Sequence, residues 1–233
     1  GVNILIMNPE TYLVTKEEQE RYKDYKMDNE INTLSNPIFD IAFERILNNY
    51  KPKHDRVLFS GCTIVRPYYK SLKWKDFITY FYDKVDLVVI SNAGIIPMEY
   101  AECYPFLTYD AKHEWRSFKE YEEKLLLRLN SFLTKFGDAW DYRVYSFLPY
   151  WGGGGGKINR ERQILSKIGI ETLPTLDVYE DIRLGIKQKE FKGFNYTRYP
   201  LLTKPSIEQL AKELDLSIEF INRGIGQNKI PLF

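Results

Sequence analysis

Residues 85–91 read VDLVVIS. The run is apolar almost without a break, so it has no polar face to turn toward water. A strand of that kind is covered on both sides, as a central parallel strand is. The flanking sequence supplies the cover. WKDFITYFYDK (74–84) places Trp74, Phe77, Ile78 and Phe81 at helical spacing. SFKEYEEKLLLRLNSFLTKFG (117–137) reads as a long helix, from a Ser117 cap to a stop at Gly137. RVLFS (56–60) and DYRVYSF (141–147) are two more strands. Strand and helix therefore alternate, which predicts right-handed crossovers and adjacent parallel strands. The expected fold class is α/β, a three-layer α/β/α sandwich with a mainly parallel sheet.

The rest of the chain frames that core. VNILIM (2–7) reads as a short first strand, and Thr15 as the cap of a polar helix within 15–26. After Pro37, Ile38, Ile41, Ala42, Arg45 and Ile46 trace an amphipathic helix that Lys51-Pro52 ends. WGGGGGK (151–157) invites a phosphate-loop reading and fails it. Trp151 stands where the pattern needs glycine, and Ile158 where it needs Ser or Thr. A flexible loop, closing over a substrate, is the better reading. INRERQILSKIG (158–169) reads as a helix, 170–205 as mixed, and 206–216 and 217–226 as two serine-capped helices. That last pair is an ordinary helical hairpin or, less commonly, a helix-turn-helix. We divide the chain into an α/β core (1–150) and a Gly-rich loop with a C-terminal helical extension (151–233) packed on it, one structural domain overall.

Charge and cysteine content narrow the function. With 33 Lys+Arg against 32 Asp+Glu there is no bulk polyanion-binding signature. Nucleic-acid contact would need a local patch: Arg66, Lys70, Lys73 and Lys75, or Lys157, Arg160, Arg162 and Lys167. A solvated face is the alternative for either. Aromatics make up 15% of residues, as core and surface or as platforms for bases. Two cysteines, Cys62 and Cys103, and two histidines cannot supply a four-thiolate site, so no metal and no cofactor are expected. The same scarcity suits a reducing, cytoplasmic setting. No apolar stretch reaches the ~18 residues of a membrane span.

Parallel sheets bind ligands outside the carboxyl ends of their strands. Cys62 follows the end of one strand and Asn92–Pro97 the end of the next, so both should share a rim. A thiol there is either a small hydrophobe or a nucleophile whose pKa Arg66 and Lys70 lower. Residues 93–115 add Glu99, Glu102, Tyr104, Tyr109, Asp110 and His113.

Taken together, these stretches resemble the core domain of archaeosine synthase, of the archaeal tRNA-guanine transglycosylase-related family. That family has Pro-Cys, three residues, Lys-Pro-Tyr, two residues, Ser, two residues and His. Here the spacing reads Gly61-Cys62, Arg66-Pro67-Tyr68, Ser71 and Trp74. The family's second block is matched by VDLVVIS, Gly94-Ile95-Ile96-Pro97, Glu99, Glu102, Tyr104-Pro105 and Tyr109-Asp110. The resemblance covers about residues 35–150. Three positions depart from it: Gly61 for Pro, Arg66 for Lys and Trp74 for His.

The resemblance implies a fold similar to uracil-DNA glycosylase. It also implies amine addition to the nitrile of 7-cyano-7-deazaguanine in tRNA. Cys62 would form a thioimide that the amine resolves. Asp110, Glu99 or His113 would move protons or hold the ammonium. Tyr68 and Tyr104 would hold the base, and Arg66 and Ser71 a phosphate or the thiolate. Implied partners are tRNA, an amine donor such as lysine, and a separate transglycosylase or radical enzyme of the pathway, with no membrane. Trp74 keeps open a non-catalytic tRNA-binding or scaffold protein that kept the fold. A glycosylase-like base-processing enzyme is a third reading.

Overall fold

Every residue of the apolar strand Asp86–Ser91 is buried. The computed structural model describes residues 13–28, 30–63, 65–109, 119–146, 150–151, 157–187 and 203–220. Its elements are α1 (Lys16–Arg21), α2 (Glu30–Ser35), α3 (Pro37–Asn49), β1 (Arg56–Gly61), α4 (Leu72–Phe81), β2 (Asp86–Ser91), β3 (Gly94–Pro97), α5 (Lys119–Phe136), β4 (Tyr142–Tyr145), α6 (Arg160–Lys167), β5 (Glu171–Thr172), α7 (Leu176–Lys187) and α8 (Lys204–Glu213). The strands form one sheet in the order β3-β2-β1-β4-β5. β1 pairs in parallel with β2 and β4, and β4 in parallel with β5. The three strands expected from sequence are therefore adjacent and parallel.

Side-chain alternation sorts the two faces. Phe59 meets Trp140 edge-on, and Trp140 stacks on Phe132 of α5. α3 lies with α5: Tyr50, its C-cap, stacks on Phe132, and Asp40 pairs with Lys124 and Arg128. Arg56, on the opposite face from Phe59 by odd–even register, donates to the Leu214 carbonyl just past α8 at 2.6 Å. α4 is on that side too, with Tyr80 against Phe220. The result is a mixed α/β layer structure with helices on both faces of a mostly parallel sheet.

Local chemistry sets the helix starts. Thr15 and Glu18 form a reciprocal capping box on α1. Asn36 caps α3, with Pro37 in its first turn. Ser71 caps α4, so that helix begins at Leu72, ahead of the expected Trp74.

Two expectations are corrected. The segment Gly94–Pro97 is not a loop but an antiparallel edge strand paired with β2. Ser91 pairs with Gly94, which leaves Asn92-Ala93 as a two-residue hairpin loop. Gly94 has φ +144°, a backbone conformation that side chains with a Cβ rarely adopt. The break after β2 is thus a reversal, not an exit. Second, 217–220 carry no helix. Asp215 turns left-handed at φ 52° and stops α8, and the chain then runs on until Phe220 packs on Tyr80. Residues 221–226 of that expected helix, the strand expected at 2–7 and the glycines 152–156 lie outside the described residues. Trp151 and Ile158, which flank those glycines, pair as an antiparallel bridge.

The amino end of the sheet is tied by Asp86. Its carboxylate accepts from the Lys53 backbone at 3.1 Å and from the Trp140 indole at 2.8 Å, and His54 Nδ1 lies 3.0 Å away. Asp86→Ala would strand the buried Trp140 indole N–H and take the acceptor from the Lys53 backbone. It should cost about 3 kcal/mol, read as a lower urea midpoint at an unchanged slope. α1 is docked differently, by Glu18 on Arg45. Hydrogen bonding to Arg45 holds the Glu18 carboxyl at about 2, down from 4.5. The stability it adds is complete above the unfolded value and is lost as pH falls from 4.5 through about 2. Glu18→Gln should flatten the acid-unfolding curve across that window.

Candidate functional site

β1 does not release the chain at its last residue. The Cys62 N–H still donates to the Ile90 carbonyl at 3.1 Å, so Cys62 stays in the ladder one step further. Gly61 pairs with Ile90, which puts Cys62 beside Ser91 on the α4 face. The thiol is half-buried, and the Ser91 and Tyr109 hydroxyls are near enough to favour its ionised form.

Those hydroxyls form a short chain. Tyr109 lies 2.6 Å from Ser91 Oγ and 2.6 Å from the Tyr68 hydroxyl. Ser91 Oγ also accepts from the Ala93 N–H at 3.0 Å. Run in one direction, Tyr68 donates to Tyr109 and Tyr109 to Ser91, and the Ser91 and Tyr109 hydroxyls both favour an ionised sulfur. That arrangement stabilises a thiolate. Two cations complete the cluster. The Arg66 guanidinium sits over the Tyr109 ring at 4.0 Å, and its Nε has no hydrogen-bond partner among the described residues. Lys73, in the first turn of α4, donates to the Gly61 carbonyl at 2.6 Å.

Burial and charge pull the thiol in opposite directions. Burial pushes the Cys62 pKa up, while Lys73, Ser91, Arg66 and Tyr109 pull it down, and burial wins. The expected thiol, lowered by Arg66 and Lys70, is therefore corrected. Lys70 is exposed, and Lys73 is the cation that matters. Burial in turn lowers the Lys73 ammonium to about 8, against the opposing pull of Cys62 and Glu161. The charged groups that act on Cys103 are carboxylates. Burial, Glu102 and Glu99 raise it to about 11.

The other expected residues fall in different places. Tyr68 is wholly enclosed and supports Tyr109, with no free ring face for a base. Ser71 spends its hydroxyl on the Trp74 N–H as a helix cap. Trp74 is fully buried against Phe77. Truncating it would cost about 3–5 kcal/mol, so this position belongs to the core. Tyr104 is half-buried on the core cluster. Asp110 and His113 lie outside the described residues.

Glu99 is at the opposite end of the sheet. β3 runs back alongside β2 to Pro97, opposite Val88, and Glu99 then pairs with Lys53 near the start of β1. A cavity of about 320 Å³ opens there, lined among others by Tyr50, His54, Tyr82 and Met98. The antiparallel turn of β3 is what separates Glu99 from Cys62. The second basic patch disperses as well. Arg160 pairs with Glu122, and Arg162 is buried on the Thr172 carbonyl.

Sequence reasoning missed Ser91 and ranked Lys73 as one lysine of a patch. Ser91 could be found only through the register of β1 on β2. Lys73 carried a signal, its place just inside the Ser71 cap, which points a first-turn side chain back toward the strand end.

Three comparisons bear on this arrangement. The profile of a domain of unknown function (DUF5591) matches residues 41–140. That stretch holds Cys62, Arg66, Tyr68, Lys73, Ser91 and Tyr109. No curated protein matches the chain. A solved structure, described as the crystal structure of AF0587, a protein of unknown function, is similar at 19% identity and a TM-score of 0.47 over 77% of this chain. This chain spans about half of that one, 51%.

Tyr109→Phe removes the hydroxyl that joins three partners. The protein should lose about 1–2 kcal/mol of stability. Alkylation of Cys62 by iodoacetamide at pH 8 should slow, because Tyr109 is one of the groups that favour the thiolate. An unchanged rate would show that Tyr109 does not act on the sulfur.

Proposed function

We propose that the chain modifies tRNA in the archaeosine pathway, adding an amine to the nitrile of 7-cyano-7-deazaguanine through a Cys62 thioimide. One observation carries the reading. A half-buried thiol at the carboxyl rim of a parallel sheet, one side packed on the core, has two hydroxyls and two cations acting on it. A nitrile carbon is a fitting electrophile for it, since sulfur addition gives a thioimide that an amine displaces. The block spacing around Cys62 supports the same family, and DUF5591 is a domain found in archaeosine-related proteins. On this reading the fold is of the uracil-DNA glycosylase type, with the base delivered to the rim. Arg66 and the half-buried Tyr104 remain the candidates for holding it.

A second reading is a tRNA-binding scaffold. What favours it is Trp74, a core residue where the family has a histidine able to transfer protons.

The test is incubation with tRNA carrying 7-cyano-7-deazaguanine and lysine, followed by mass spectrometry of the digested nucleosides. Cys62→Ala should abolish amine addition with the fold intact, and Cys103→Ala should retain it. Equal activity in Cys62→Ala and parent rejects the thioimide. Binding of tRNA without addition in either protein favours the scaffold.

A further inference from the structure

Arg66 stays protonated at any physiological pH, and Trp74 has no proton to exchange in the required range. If Cys62 is to act, something else must take its proton and give one back. Among the described residues the rim presents one group placed to do so.

We propose that Lys73 is the proton-transfer partner of Cys62, taking the thiol proton as a neutral amine and returning it to the nitrile nitrogen as an ammonium. The inference rests on the thioimide reading above and deepens it. Its ground is geometric. The Ser71 cap starts α4 so that Lys73 falls in the first turn, and its Nζ reaches back 2.6 Å to the carbonyl of Gly61, the peptide that leads into Cys62. The ammonium is thus anchored on the peptide that carries Cys62, where each group acts on the other's charge.

The surroundings make the amine fit for the task. Lys73 is half-buried, next to the positive end of its own helix, and both conditions disfavour an ammonium. The groups that face it are the Cys62 thiol and Glu161 of α6. The groups that face Cys62 are Lys73, Arg66, Ser91 and Tyr109. With Lys73 near 8, about one amine in ten is neutral at pH 7, against about one in a few thousand for an ordinary lysine. Arg66 and the hydroxyl chain then stabilise the sulfur anion without exchanging its proton.

The steps balance. The S–H proton passes to Lys73 Nζ. Sulfur forms a bond to the nitrile carbon, one C–N π bond opens, and the nitrogen takes the proton from Lys73. The amine then adds to the thioimide carbon, the C–S bond breaks, and the amine's lost proton returns to the thiolate. Nothing is oxidised or reduced, and Lys73 ends as it began.

The test uses the full chain in a Cys103→Ala background, with Lys73→Met and Lys73→Arg. Both should fold, since Lys73 makes no ion pair among the described residues, methionine fills much of its volume and arginine keeps its charge. Circular dichroism checks this. The first readout is the pH profile of Cys62 alkylation by iodoacetamide. For Lys73→Met the midpoint should move up by about 1 on the pH scale, slowing the reaction about tenfold at pH 8. Lys73→Arg should restore it, because the charge is restored. The second readout is mass detection of the thioimide formed with a heteroaryl nitrile, 2-cyanopyrimidine. The parent should form it, and neither variant should match it, because arginine cannot hand over the proton.

An unchanged alkylation profile in Lys73→Met overturns the proposal. So does a Lys73→Arg protein that forms the thioimide as fast as the parent, which would reduce Lys73 to a fixed charge. A parent that forms no thioimide overturns it as well. Thioimide formation that depends on Lys73, together with inert tRNA, would sustain the proposal and reject the tRNA reading.

Discussion

A slip of one residue between β1 and β2 would turn Cys62 to the other face of the sheet. The thiol would then face α5 and leave Ser91, Tyr109 and Lys73 behind. The parallel register of Gly61 on Ile90 is therefore the constraint on which the site depends. What holds that register is burial on both faces. β2 has no polar edge to trade against, so a shifted pairing would expose apolar side chains or bury the wrong ones. Asp86 adds a polar lock at the strand's first residue, where the backbone before β1 and the Trp140 indole converge on one carboxylate.

At the rim itself the balance is between desolvation and charge. Burial makes the Cys62 thiolate costly and the Lys73 ammonium costly at once. Each group favours the charged form of the other, so the two are poised to exchange a proton rather than to sit as a permanent ion pair. Cys103 shows the contrast. It is similarly buried, but its charged neighbours are carboxylates, and the thiol form is held firmly.

The two ends of the sheet do different things. At the carboxyl end, a chain of hydroxyls and two cations surround a thiol that burial keeps from ionising. At the amino end, Asp86 is saturated with donors and Glu99 is paired with Lys53. The antiparallel β3 connects the ends, so residues close in sequence, Gly94 and Glu99, serve opposite poles of the molecule.

The sequence by itself determined the layer plan. An apolar run such as VDLVVIS has to be covered on both faces, and the periodic helices around it provide the cover. It also determined the position of Cys62 at a strand end, because the apolar run stops there. The caps at Thr15, Asn36 and Ser71 are local, and so they too were open to a reading of neighbouring residues. The tertiary structure decided the rest. Whether Asn92–Gly94 was an exit or a hairpin rested on pairing across strands, and that choice carried Glu99 away from Cys62. Whether Tyr68 offered a face to a base or lay sealed under Tyr109 rested on packing between segments 41 residues apart. Whether the thiol ran acidic or basic rested on how much water the fold removed from it, and no linear pattern records the depth of a side chain.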